Sequence, residues 1–413
     1  MTVFDTRESR VRSYSRLWPV VFDRAEGSRL HAEDGTSYLD FFAGAGALNY
    51  GHNNPVLKQA LLDYVSRDGV THALDMFTVA KRDFLETFER LVLRPRGLDH
   101  RVVFPGPGGA NAVEAALKLA RKVTGRHAVI SFTNSFHGMT LGALAVSGNN
   151  VKRAASGVPL VHTTPMPYDG YRSGDGVALL EGLLADAGSG LDRPAAVIVE
   201  TVQGEGGLHT ASDGWLQRLS LLCSRFGVLL IVDDVQMGCG RTGPFFSFED
   251  SGVVPDMICL SKSIGGYGLP MALTLVRPEL DVWQPGEHNG TFRGVSPSFV
   301  TGAEALRTYW SDAALEKSVR AKGERVAAAL TEIAAAHPGV EVRGRGLAAG
   351  LRIGEPAGRV CAAAFDRGLL VETSGAADDV VKLLPPLTIN DHEIDEGLDI
   401  VRKSVDAVLT RGE

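Results

Sequence analysis

The sequence predicts an α/β protein: a mostly parallel sheet in one large domain, beside a smaller, discontinuous α+β domain assembled from both ends of the chain. Three observations carry this. Short apolar runs alternate with helical segments through the middle of the chain, as in sheets covered by helices. Several of these runs stop at a polar or glycine-rich residue, the pattern of strand ends that line a ligand crevice. Short extended segments precede the first long helix, and strand and helix alternate again near the C-terminus, so the two ends can share one unit. With 413 residues the chain is too long for one ordinary domain. The expected division assigns 1–54 and 316–413 to the two parts of the smaller domain and 55–315 to the larger.

Taken in order, residues 29–35 and 37–42 read as small strands about an Asp34-Gly35 turn. From residue 55 apolar positions recur at three- and four-residue spacing, which predicts helices over 55–66 and 80–93. A helix over 112–122 leads into a strand over 128–132, and a strand over 195–200 precedes a helix over 214–226. Strands follow over 228–232, 257–260 and 271–276. A long helical region spans 306–336, and beyond it 340–353, 361–370 and 391–409 alternate strand and helix.

Hydrophobic residues make up 44% of the chain and charged residues 22%, which excludes a disordered protein. The formal charge is -7 with basic residues dispersed, which argues against a nucleic-acid surface and for a small-molecule substrate. Cys223, Cys239, Cys259 and Cys361 lie far apart, without the spacing of a metal knuckle or a redox pair. Buried free thiols are expected, and no metal. The basic N-terminal residues have no apolar core behind them and no stretch reaches the length of a membrane span, so a cytoplasmic protein is expected.

Lys262 narrows the chemistry most. It lies in Asp256-Met-Ile-Cys-Leu-Ser-Lys-Ser-Ile-Gly-Gly-Tyr267, where an apolar run opens into glycine-rich backbone. Desolvation lowers an amine's pKa and glycines let a ligand approach closely. Such a lysine suits a covalent bond to an aldehyde cofactor, which points to pyridoxal phosphate. Once released by a substrate, the same amine can shuttle a proton between the substrate and the cofactor. Asp233, directly after the apolar 229–232 run, is placed to keep a pyridine nitrogen protonated. Val235 is suited to pack on a ring face and Gln236 to bond the ring's phenolic oxygen. In Phe104-Pro-Gly-Pro-Gly-Gly-Ala-Asn111, which opens a helix, the backbone N–H groups of Gly108, Gly109 and Ala110 are expected to hold a phosphate. Phe136 and His137 follow a strand and are suited to lie against a cofactor ring. The glycines around Glu205 bring that carboxylate into the crevice, while Glu200 is assigned to support of the sheet edge.

These segments resemble the class III, ornithine-aminotransferase-like branch of the fold type I pyridoxal-phosphate enzymes, from Tyr38-Leu39-Asp40 to Pro385-Pro386-Leu387-Thr388-Ile389. The resemblance implies catalytic roles for Lys262, Asp233 and Glu205, with Phe136 stacked on the ring and Gln236 at its oxygen. Thr291 would reach the phosphate of a neighbouring subunit. An obligate homodimer with shared active sites follows, compatible with a dimer of dimers. Within the family, Thr71-His-Ala-Leu-Asp-Met76, Glu287-His-Asn-Gly-Thr-Phe-Arg-Gly294 and Val371-Glu-Thr-Ser-Gly375 resemble the branch that moves the amino group of glutamate to the aldehyde of aspartate semialdehyde. Glu205 would then neutralise a substrate cation and change partner between half-reactions. Lys382 would bind a substrate carboxylate, without the planar fork of the arginine the family commonly has there. Two features depart from the family: Gly108 and Ala110 stand where it usually has hydroxyls, and Val295-Ser296-Pro297 follows Gly294 where the branch continues with asparagines. The alternatives are ω-aminotransfer from ornithine, 4-aminobutyrate or a related amine, or another reaction of the same Lys-Asp pair. A non-catalytic binding protein is disfavoured by the presence of both residues.

Overall fold

The computed structural model describes residues 2–410. Its centre is a seven-stranded sheet in the order Arg101–Val103, Leu273–Val276, Met257–Leu260, Leu229–Asp233, Ala196–Val199, Val129–Phe132 and Thr163–Met166. Among these strands only Leu273–Val276 runs against the rest. The central strands carry unbroken apolar runs because both faces are covered. Val197 and Val199 face one core, Ala196 and Ile198 the other, and every residue of the strand is buried. The helix Gly109–Thr124 crosses the second face on a stripe of small residues, among them Ala112, Ala116 and Ala120, and ends at Gly125 in the left-handed conformation.

A four-stranded sheet joins the two ends of the chain. Phe22–Glu26, Arg29–Ala32 and Ser37–Asp40 form an antiparallel meander, and Leu369–Leu370 pairs in parallel with Ser37–Asp40. A third sheet, Glu341–Arg345, Ala348–Arg352, Val380–Leu383 and Glu372–Ser374, is antiparallel, and Ala314–Ala336 packs on it and on Asp391–Leu409. The fold is therefore α/β with a large, mainly parallel sheet and a smaller unit beside it.

Helices and strands with strong periodicity fall where the sequence places them, as with Pro55–Ser66 and Met257–Leu260. Several elements differ. The helical region over 306–336 is two helices, Ser296–Tyr309 and Ala314–Ala336. The break falls at Trp310, whose buried indole N–H donates to the Tyr50 hydroxyl at 3.0 Å. The helix predicted over 80–93 stops at Phe88, and Glu89–Leu93 forms a wider π-turn. The edge strands Arg101–Val103 and Thr163–Met166 escape the sequence reading because they are short, with Arg101 or Pro165 interrupting the apolar run. The four cysteines are free and buried. No helix among the described residues is long and apolar enough to cross a membrane.

Candidate active site

Parallel strands bring their carboxyl ends to one edge of the sheet, where crevices form. Asp233 ends its strand, Lys262 follows Leu260 by two residues, Glu200 follows Val199, and Phe136 and His137 lie on the loop after Phe132. Gly109 and Ala110 begin the helix Gly109–Thr124. These residues line one cavity, joined by Glu205, Val235 and Gln236.

Lys262 occupies a left-handed backbone position, φ 54°, which is disfavoured for a residue with a Cβ. Gly266 follows at φ 78°, where a Cβ would lie 2.3 Å from the Thr301 carbonyl oxygen. The loop therefore closes tightly on the helix Ser296–Tyr309. The Lys262 ammonium donates to the Ala45 carbonyl at 2.6 Å. Ala45 sits in the turn Ala43–Gly46, four successive residues with φ of 46°, 59°, 56° and 84°. Backbone strain of this kind persists only where the surroundings over-determine it. Here Asp40 accepts the Phe42 and Ala43 N–H groups at 2.7 and 2.8 Å and meets His52 Nε2 at 2.6 Å. Ser263 donates to the Gly46 carbonyl at 2.8 Å. Burial lowers the Lys262 amine to about 8, against the opposing pull of Glu205, so neutral, nucleophilic amine forms well below the ordinary lysine range.

Asp233 and its neighbour divide. Asp233 Oδ2 lies 2.7 Å from His137 Nδ1, and Oδ1 accepts the Val235 N–H at 3.1 Å. Asp234 points away, accepting the Ser247 N–H at 3.0 Å and the Ser247 hydroxyl, and burial raises it to about 7. Glu200, read from sequence as sheet support, is a cavity wall. It accepts the Phe136 N–H at 2.9 Å, and burial, reinforced by Asp233, raises it well above the usual carboxylate range. The strand-end rule that singles out Asp233 applies equally to Glu200, which directly follows Val199.

Four of the expected site residues have partners or positions that the sequence does not show. The Gly108 N–H is not free for an anion: it donates to Asn111 Oδ1 at 3.0 Å. Gly109 and Ala110, in the first helical turn where N–H groups have no intrahelical acceptor, are the residues of this loop that reach the cavity. Lys382 is fully buried and does not line the cavity. Its ammonium lies 2.7 Å from Glu205 Oε1 and 3.0 Å from Glu372 Oε1, so two carboxylates already claim it. Gln236 donates to the Ala45 carbonyl at 3.1 Å and to Glu205 at 3.0 Å, which occupies both of its N–H groups. Thr291 lies outside this cavity, its carbonyl accepting from His72 Nε2 at 2.6 Å.

The Glu205 cluster is electrostatically tight. Burial opposes ionisation of Glu205, but Lys382 and Lys262, with hydrogen bonds from Lys382 and Gln236, outweigh it and hold the carboxyl at about 2. Burial raises Glu372, and in Lys382 it is overcome by Glu205 and Glu372, which push the ammonium above its ordinary value. Glu372 escaped the sequence reading because its place beside Lys382 depends on strand pairing, Glu372 opposite Lys382 across Val380–Leu383. The cavity as a whole fits pyridoxal phosphate. It offers a carboxylate for the ring nitrogen, helix N–H groups for the phosphate and an amine for the aldehyde. Two lining residues also carry buried polar atoms without partners, His137 Nε2 and Gln236 Oε1.

The model of the family "Aminotransferase class-III" matches residues 11–405. A diaminobutyrate–2-oxoglutarate transaminase of Nocardia farcinica (strain IFM 10152) is 64% identical over 412 residues, covering 99% of this chain and 94% of that protein. One of the same name from Virgibacillus pantothenticus is 54% identical over the full length of both. Among solved structures, the ornithine aminotransferase of Toxoplasma gondii, described with partial occupancy of PLP at its active site, superposes with a TM-score of 0.85. It is 27% identical, covering 99% of this chain and 93% of that one.

Proposed function

The chain belongs to the class III aminotransferases, and from that membership we propose that it moves the amino group of L-glutamate to the aldehyde of L-aspartate 4-semialdehyde. The products are L-2,4-diaminobutyrate and 2-oxoglutarate. The cofactor is pyridoxal 5′-phosphate, which when bound supplies an aldehyde that captures amines and a ring that takes up the electron pair of a broken carbon–hydrogen bond.

The residues divide the remaining work. Lys262 holds the cofactor and, once displaced by a substrate amine, moves the proton at the reacting carbon. Its resting acceptor, the Ala45 carbonyl, keeps the amine beside the cavity. Asp233 keeps the ring nitrogen protonated, and His137 orients Asp233 through its Nδ1. Gly109 and Ala110 hold the phosphate at the helix N-terminus, with Phe136 and Val235 bounding the ring.

The observation that carries the substrate reading is Glu205, ionised on the cavity wall and bonded to Lys382 and Gln236. It answers the α-ammonium that the semialdehyde and diaminobutyrate present and that glutamate, reacting through its own α-amine, does not. The full-length identity to diaminobutyrate–2-oxoglutarate transaminases supports the same acceptor.

A homodimer belongs to this proposal. Leu74, Met76, Phe77 and Phe292 are exposed apolar residues, Phe77 completely so. Their two segments lie together, the Ala73 N–H donating to the Gly294 carbonyl and the His72 ring packing on Phe292. An apolar surface beside Thr291 suits a second copy whose cavity Thr291 would complete.

The test is a coupled assay of purified, cofactor-loaded protein with glutamate and aspartate semialdehyde. Equal amounts of 2,4-diaminobutyrate and 2-oxoglutarate are expected. Formation of 2-oxoglutarate from glutamate with a different aldehyde, and none with this one, would reassign the acceptor within the family.

A further inference from the structure

The role proposed for Glu205 requires its carboxylate to keep one place on the cavity wall, yet the turn that carries it is mostly glycine. Gly204-Glu-Gly-Gly207 joins the short paired strands Val202–Gln203 and His209–Thr210, and glycine backbone has more freedom to lose on ordering than any other. Close packing demands these glycines. A Cβ at Gly204 would lie 1.7 Å from Gln236 Oε1, and one at Gly206 would lie 2.1 Å from the Asn134 carbonyl oxygen. Bonds to the backbone from outside the turn must therefore fix Glu205.

Ser374 supplies two of those bonds. Its hydroxyl donates to the Gly204 carbonyl at 2.7 Å and accepts the Gly207 N–H at 3.1 Å. These are the first carbonyl and the fourth N–H of a four-residue turn, the pair that a β-turn commonly joins directly. Here one hydroxyl stands between them, using its donor and an acceptor site together. The Gly375 N–H adds a bond to the Glu205 carbonyl at 3.2 Å, and Arg343 donates to the Gly207 carbonyl at 3.3 Å. Gly204, Gly207 and Ser374 are buried. Without the hydroxyl, the turn either leaves a buried donor and acceptor unpaired or closes on itself and carries Glu205 with it.

Ser374 and Glu372 end the same short strand two residues apart, and strand alternation puts both on one face. Glu372 reaches Glu205 through Lys382, whose ammonium lies 3.0 Å from the first and 2.7 Å from the second. One strand of the C-terminal unit thus fixes Glu205 twice, its charge through Lys382 and its backbone through Ser374. The side chain of Glu205 stays free to meet a substrate while its Cα is held.

We propose that Ser374 is a positioning residue that sets Glu205 for the α-ammonium of the semialdehyde and of diaminobutyrate, and so contributes to the choice of acceptor. This rests on the reading of Glu205 given above. The test uses holoenzyme in single turnovers with one amino donor at a time, followed by the fading of the cofactor's visible absorbance. In Ser374→Ala the concentration of 2,4-diaminobutyrate that gives half the maximal rate rises about tenfold, while that of glutamate stays within about threefold of the parent. Ser374→Thr, which keeps a hydroxyl, restores most of the loss. Ser374→Cys, whose thiol fills the space but bonds weakly, shows the same asymmetry to a smaller degree, so a poorly folding alanine variant still leaves the proposal judged. Equal weakening for both donors would make Ser374 a general support of the fold and overturns the proposal, as does an unchanged response to both. Glu205→Gln is measured beside these variants. A selective loss for diaminobutyrate in Glu205→Gln but not in Ser374→Ala sinks the role of Ser374 alone. No selective loss in Glu205→Gln sinks the reading of Glu205 itself.

Discussion

At the scale of single residues, the site is built by moving ionisation away from its ordinary range. Lys262 is drawn down to about 8 by burial, and a protonated amine cannot attack an aldehyde. Capture of pyridoxal phosphate by the apoenzyme should therefore accelerate as pH rises through about 8 and level off above it. A stopped-flow pH profile checks this, and a midpoint near the ordinary lysine value of 10.5 would show that the folded site does not desolvate the amine. Lys262→Ala should abolish both the bound cofactor's visible absorbance and turnover; an intact absorbance would remove the covalent role. Lys262, Asp233, Phe136 and Gln236 were legible because each ends or closely follows an apolar run, a one-dimensional mark of a strand's carboxyl end. Glu372 carries no such mark, and it gains its meaning from the strand pairing opposite Lys382. The carboxylate-binding role read for Lys382 meets a cation already held between two carboxylates, which leaves it little charge to offer.

At the scale of elements, glycine placement sets how closely the cofactor-facing segments approach. A Cβ at Gly109 would lie 2.7 Å from Val235 Cγ1, and a β-branched valine has little freedom to withdraw. Gly109→Ala should push Val235 toward the cavity and raise the dissociation constant for the cofactor about tenfold, about 1.4 kcal/mol. Because the backbone there is helical, the melting temperature should fall by no more than about 4 °C. Fluorescence titration of the apoprotein and a thermal melt separate the two effects, and an unchanged affinity would mean that the valine yields freely. Helices with a wide apolar stripe and strands with unbroken apolar runs were legible. The edge strands and the break at Trp310 were not, since they depend on a neighbour: the adjoining strand in one case, the Tyr50 hydroxyl in the other.

At the scale of the whole molecule, the exposed apolar patch of Leu74, Met76, Phe77 and Phe292 carries the expectation of a homodimer. Phe77→Glu places a charge where apolar surface should be buried, and the mutant should sediment as a monomer with activity falling in step with the dimer fraction. A fully active monomer would remove Thr291 from any role across the interface. The sequence by itself determined the α/β class, the cofactor chemistry and the strand-end residues, because periodicity, glycine runs and strand termini are local properties written in neighbouring positions. Only the tertiary structure decided that the Gly108 N–H is spent on Asn111 and that Lys382 is enclosed by Glu205 and Glu372. It also brought the Ala45 carbonyl to Lys262, 217 residues away in sequence. The physical reason is common to all of these: whether a polar group is free to act depends on which partners satisfy it, and in a buried site those partners come from distant parts of the chain.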